Sequence, residues 1–225
     1  MNLVDLFPAL ASIVALLIAI IGHEIMHGWV AYKYGDNTAK NAGRLSINPI
    51  VHIDPVGSIL VPLMTYYLPM LLGASSGFLF GWAKPVPVTM ETVIRNGGYK
   101  AAMSVSLAGI TYNLLLAIFF STILLSMHEP LVEDSLGYVF GFNVVLQLVL
   151  INVVLAVLNL LPVPGLDGSR FVTYVALHFK RYEVARFFIK TERYGMIILL
   201  VILITPLKIP LLIWPVQTLL SLLLN

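Results

Sequence analysis

The sequence predicts an all-α polytopic membrane protein: a bundle of about four to six transmembrane helices with a small re-entrant or β-strand element after the first helix. Two observations carry that class. The chain of 225 residues is 59% hydrophobic and only 11% charged, with a mean hydropathy of +0.94, and a soluble domain of this length would carry far more surface charge. Apolar runs recur along it, several near the roughly 20 residues that cross a hydrocarbon core. No stretch is long and polar enough for a separate soluble unit, so residues 1–225 read as a single membrane-embedded domain. A formal net charge of +2 gives no electrostatic footprint for nucleic acid. The absence of cysteine removes disulfides and thiolate metal ligands, leaving His, Asp, Glu or Asn for any metal.

The first span is expected from about Leu6 to Ala31. With no basic region and no small-residue cleavage site before it, the run is expected to be retained. The polar segment Tyr32 to Asp54 follows, and within it Asn41 to Pro49 reads as a short strand and turn. The apolar stretch Val56 to Phe80 is broken by Pro62, Pro69, Gly73 and Gly77 and is expected to dip into the bilayer and return. Pro85 and Pro87 exclude helix and central strand, so Gly81 to Val88 reads as an extended edge segment, able to bind an extended substrate by strand addition. Long helices are expected near Ala101–Met127 and Tyr138–Leu161, separated by a loop carrying Glu129, Glu133 and Asp134. The basic amphipathic stretch Ser169 to Arg193 reads as an interfacial anchor on anionic lipid. The last apolar runs, Tyr194–Ile204 and Leu211–Leu224, are short, and they read as two tilted spans or one interrupted span.

Lys and Arg positions orient the chain. The loop with Arg170, Lys180, Arg181, Arg186, Lys190 and Arg193 belongs on the cytoplasmic side, as do the segments with Lys33, Lys40 and Arg44 and with Lys84, Arg95 and Lys100. The acidic loop, without Lys or Arg, belongs outside. These assignments agree only if Val56–Phe80 does not cross.

Chemistry concentrates in His23-Glu24-Ile25-Met26-His27, inside the first span. Ionisable side chains at membrane depth are costly and usually functional. Histidines four apart share a helix face and can reach one cation, with the neighbouring glutamate able to serve as a general base. A catalytic site needs a third protein ligand and an open position. Asp167 is the candidate, since prolines and glycines in Asn159-Leu160-Leu161-Pro162-Val163-Pro164-Gly165-Leu166-Asp167-Gly168 unwind the end of a span at the same expected depth. Asn159, about two turns up the same face if the helix continues, can donate to a substrate carbonyl or oxyanion. His52 can contact substrate or orient a ligand, or equally pack as a loop histidine against Asp54. Asn113 and Asn152 read as interhelical hydrogen-bonding residues.

The pair His23-Glu24-x-x-His27 and Asn159-x-x-Pro162 leading into Leu166-Asp167-Gly168 resembles the site-2 protease family of intramembrane zinc metalloproteases, over nearly the whole chain. Asn48-Pro49, His52-Ile53-Asp54-Pro55 and Gly81-Trp82-Ala83-Lys84-Pro85-Val86-Pro87 are similar to a compact subgroup without PDZ or CBS domains, and Gly109 to Asn113 matches its Gly-x-x-x-Asn element. The resemblance implies one Zn2+ per chain, held by His23, His27 and Asp167, with Glu24 activating water to hydrolyse membrane-anchored protein or peptide substrates. The expected location is a plasma (inner) membrane, multi-pass, with the active site towards the cytoplasmic side. The alternative is a metal-ion or proton transporter using the same histidines; the lack of repeated halves counts against it.

Overall fold

The computed structural model describes residues 6–61, 64, 84–131 and 135–225. Helix α1 (Phe7–Lys33) opens with Pro8 in its first turn, where the missing N–H has no intrahelical partner to lose. Its 27 residues span about 40 Å, enough to cross a bilayer. Ala11, Ala15, Ala19, His23 and Ala31 are buried on it, and the His27 side chain is only 12% exposed. Every fourth position therefore belongs to one slowly winding inward stripe, while Leu10, Ile13, Val14, Leu17 and Ile18 are exposed for lipid. Alanine at four of the stripe positions lets neighbouring backbones come close.

A short helix, α2 (Thr38–Asn41), follows. Helix α3 (Met90–Ser126) is bent at Gly98, whose φ of 65° and ψ of −167° suit glycine alone. That break explains why the apolar span starts near Ala101 although helix begins at Met90. Its buried stripe runs Ala101, Val105, Gly109, Asn113, Ala117 and Ser121, again every fourth residue. Helix α4 (Leu136–Leu160) is capped by Ser135, whose hydroxyl accepts from the Tyr138 N–H at 3.2 Å. Helices α1, α3 and α4 pack mutually, with rows of residues four apart forming the facing ridges.

The basic stretch folds as α5 (Asp167–His178) and α6 (Tyr182–Thr191). Then come α7 (Gly195–Ile204) and α8 (Trp214–Leu224), and the helical run ending at Ile204 meets the next at 97°. Leu212, Val216, Leu219, Leu220 and Leu223 cover Ala117, Val153 and Val157, so α8 and the turn before it close the bundle against α3 and α4. Leu199 and Ile202 of α7 pack on Val163 in the turn after α4. Three described helices are long and apolar enough to cross a membrane, or four if the bent pair forms one span.

The expected β element is absent among the described residues. Residues 41–49 continue from the end of α2 through a left-handed turn at Gly43 (φ 65°) into coil. A 3-10 turn over Pro49–His52 follows, because the Asn48 side chain accepts from the Ile50 N–H and Pro49 pre-sets helical φ. Asp54 then caps a wide helical turn, Pro55–Leu60, accepting from the N–H groups of Val56 and Gly57. The re-entrant reading of Val56 to Phe80 falls almost wholly outside the described residues, as do Gly81 to Ala83, Glu133 and Asp134. Residues 84–88 lie outside any helix and join no β-ladder.

A Cβ on Gly195 would collide with the backbone carbonyl of Pro164, whereas one on Gly137 would meet nothing within 4 Å. Gly195→Ala is therefore expected to destabilise by about 1–3 kcal/mol through overpacking, and Gly137→Ala to leave the thermal midpoint unchanged or raised. Thermal unfolding of the detergent-purified proteins measures both.

Candidate active site

Two elements bring the predicted cluster together. Helix α1 offers His23 and His27 from its inward stripe. Between α4 and α5, Pro162 and Pro164 stop the helix, Gly165 turns the chain at φ 91°, and Gly168 lies against the carbonyls of Leu160 and Leu161, closer than any side chain would permit. That tight turn delivers Asp167 as the first residue of α5. Asp167 Oδ2 lies 3.0 Å from His23 Nε2 and 3.1 Å from His27 Nε2, and the two Nε2 atoms are 3.1 Å apart.

The outer nitrogens determine which atoms face this triangle. His23 Nδ1–H donates to Asn113 Oδ1 at 2.6 Å and His27 Nδ1–H to the Val105 carbonyl at 2.7 Å. With protons held there, both Nε2 lone pairs turn towards Asp167. Two lone pairs and a carboxylate oxygen converging in a buried place repel one another unless a cation lies between them. Bonds of about 2.0 Å to a tetrahedral zinc place ligand atoms about 3.3 Å apart, so the triangle is close to the required size. The donor set fits zinc, and these are the described residues that can hold a metal ion.

Glu24 lines the same cavity, of about 430 Å3, with His27 and Asp167. Its Oε2 accepts from the Val86 N–H at 2.8 Å. The segment carrying Val86 is tied down at both ends: Lys84 N–H donates to the His52 carbonyl at 2.9 Å, the Arg44 guanidinium donates to the Lys84 carbonyl at 2.6 Å, and Thr89 N–H donates to Asp36 Oδ2 at 2.6 Å. Gly28, one turn beyond Glu24, permits the approach; a Cβ there would meet Val86, Leu45 and Ala39 at 2.8–2.9 Å. Val86 and Val88 line one part of the cavity, and Tyr174, Phe188 and Ile189 from α5 and α6 another. Burial pushes the Tyr174 phenol above its ordinary pKa, opposed by Arg170, so it remains a neutral donor.

Asn159 and His52 stand apart from this cluster. Helix α4 ends at Leu160 instead of continuing to Asp167, and the Asn159 amide donates to the Leu155 carbonyl at 3.0 Å. His52 is buried, hydrogen-bonded through Nε2 to the Ser46 carbonyl at 2.7 Å, with Nδ1 unpartnered. Neither lines the cavity. Sequence reasoning missed the Val86 N–H and the Val105 carbonyl, because backbone groups carry no side-chain signature. It read Asn113 and Asn152 as interhelical hydrogen-bonding residues, which they are, without placing His23 at the end of the pair.

Comparison with known proteins supports the resemblance. Over 199 residues the chain is 37% identical to YwhC of Bacillus subtilis, assigned as a zinc metalloprotease, covering 87% of this chain and 80% of that one. The chain belongs to peptidase family M50. The M50 family model itself matches residues 140–203, the stretch containing α4, the Asp167 turn and most of α5 to α7. Two mycobacterial proteins named Rip2, also assigned as zinc metalloproteases, are 29% identical (Mycolicibacterium smegmatis) and 32% identical (Mycobacterium tuberculosis H37Rv), covering 84% of this M50 chain. The chain spans 65% of the length of each. No solved structure matches it significantly.

Proposed function

We propose that this M50 protein is an intramembrane zinc metalloprotease that hydrolyses peptide bonds in or near the transmembrane segments of membrane-anchored substrates. The convergence of His23, His27 and Asp167 beside Glu24, in a cavity large enough for an extended peptide, carries the reading. His23 Nε2, His27 Nε2 and Asp167 Oδ2 would hold one Zn2+, which would supply Lewis acidity and make water a stronger acid at neutral pH. Glu24 takes a proton from the attacking water and returns one to the leaving amine. The Val86 N–H fixes one carboxylate oxygen and leaves the other for proton transfer.

A transmembrane helix must unwind before its peptide bonds can be attacked. Residues 84–88, outside any helix or β-ladder, offer a wall for the unwound strand, on which Pro85 and Pro87 have carbonyl acceptors but no N–H. Asn159 donates to the substrate carbonyl once its amide leaves Leu155. His52 supports the site from a distance, since its carbonyl anchors Lys84. The Lys and Arg distribution favours a plasma-membrane, multi-pass protein of four to six spans with the site towards the cytoplasm, and α5 and α6 against anionic lipid. Transport is the weaker reading, because a glutamate beside two ligands serves a proton-transfer step better than ion transit.

The test is cleavage of a single-pass membrane reporter by the purified protein in vesicles. Fragment release that stops with a chelator and returns with zinc is expected. Zinc flux across the vesicles without reporter cleavage would favour transport instead.

A further inference from the structure

The buried stripe of α3 crosses the metal cluster with three consecutive members, Val105, Gly109 and Asn113, and each meets an imidazole of α1. The Val105 carbonyl accepts from His27. A Cβ on Gly109 would collide with three atoms of the His23 ring. Asn113 Oδ1 accepts from His23 at 2.6 Å. Spaced four apart, these residues span two helical turns, and the two histidines are themselves one turn apart, so carbonyl, gap and amide register with both rings.

The Asn113 amide is itself held. Its Nδ2 donates to Asn152 Oδ1 at 2.8 Å and to the Ala19 carbonyl at 3.3 Å, and Asn152 Nδ2 donates to the Leu148 carbonyl at 2.7 Å. Asn113 and Asn152 are both 0% exposed. Flipping Asn113 would set its oxygen against Asn152 Oδ1 and the Ala19 carbonyl, and flipping Asn152 would set its amide nitrogen against that of Asn113, so donation runs one way, from His23 to the Leu148 carbonyl of α4. An isolated interhelical bond between Asn113 and Asn152 would not require His23 at its end.

We infer that Asn113 is a positioning residue: with Asn152 behind it and Gly109 beside it, it selects the His23 tautomer and aims Nε2 at the metal. The inference rests on the metal-centre reading above. Both imidazoles here lean on neutral acceptors, an amide and a backbone carbonyl, where a carboxylate would have brought a further buried charge into the bilayer. The ligand set keeps one negative charge, from Asp167, against a divalent ion, which preserves the ion's pull on water.

Zinc affinity by chelator competition and the Co2+-substituted absorption spectrum test this, on detergent-purified protein whose monodispersity and melting midpoint are checked. Asn113→Leu removes the acceptor and is expected to weaken zinc binding about 10–100-fold and to alter the Co2+ spectrum. Asn113→Asp keeps an acceptor oxygen for His23 but loses the donor to Asn152 and Ala19, and is expected to lose less zinc affinity than Asn113→Leu. Asn152→Leu frees the Asn113 amide and is expected to fall between them. Wild-type affinity and spectrum in Asn113→Leu would overturn the inference, as would equal losses in the Leu and Asp variants, since the acceptor would then not matter. A wild-type protein that holds no zinc, or a His23→Ala variant that holds it as tightly, would overturn the metal centre itself and this inference with it. The His23→Ala arm distinguishes the two failures.

Discussion

Glu24→Gln is expected to reduce reporter cleavage by about 10²–10⁴-fold, the usual contribution of general acid–base catalysis, while zinc stoichiometry stays at the wild-type level. The separation follows from geometry. Glu24 is not among the three atoms that form the ligand triangle, so its charge can be removed without removing a ligand. Glutamine keeps a carbonyl oxygen in the place of Oε2, so the Val86 N–H retains its acceptor and the segment stays attached. What glutamine lacks is the ability to take up a proton from water. Parallel measurement of cleavage rate and bound zinc is the check. A variant that cleaves at the wild-type rate would remove Glu24 from the mechanism, and one that loses zinc as well would make it a ligand.

Asp167→Ala is expected to abolish both zinc retention and cleavage. The carboxylate supplies the one anionic atom of the triangle, and without it two neutral imidazoles, whose Nε2 atoms are 3.1 Å apart, remain. A bound ligand stabilises the folded state by about 4 kcal/mol at a concentration a thousandfold above its dissociation constant. Added zinc should therefore raise the melting midpoint of chelator-treated wild-type protein and leave that of Asp167→Ala unmoved. A zinc-dependent rise of equal size in the variant would show that the stabilising ion binds elsewhere. The tight turn around Gly168 is built from backbone contacts, so the variant should fold without the carboxylate.

Several levels of the structure were legible in the residues. The spans of α1 and α4 follow from apolar runs bounded by polar or proline-containing segments, and their helical ends lie within a few residues of the expected ones. The break after α4 follows from Pro162 and Pro164, whose rings exclude helix whatever surrounds them. The strand expected at residues 41–49 failed because alternation over so short a segment has no force without a partner strand, while Asn48 and Pro49 act locally to start a helical turn. Asn159 and Asp167 do not lie on one continuous helix face, because the same prolines that delivered Asp167 ended α4 at Leu160.

The sequence by itself determined membership in the membrane class, the family motif and the shared helix face of His23 and His27, because composition, hydrophobic run length and i, i+4 spacing are local properties of the chain, while Asp167 was reached through topology and the family resemblance. Only the tertiary structure decided what supports those side chains. That Val86 holds Glu24, that Val105 and Asn113 hold the imidazoles, and that Gly28 and Gly109 leave the room for this, depend on which helices become neighbours and in what register. Register is set by packing many apolar and small residues together at once, so these contacts are recorded at no single position of the chain.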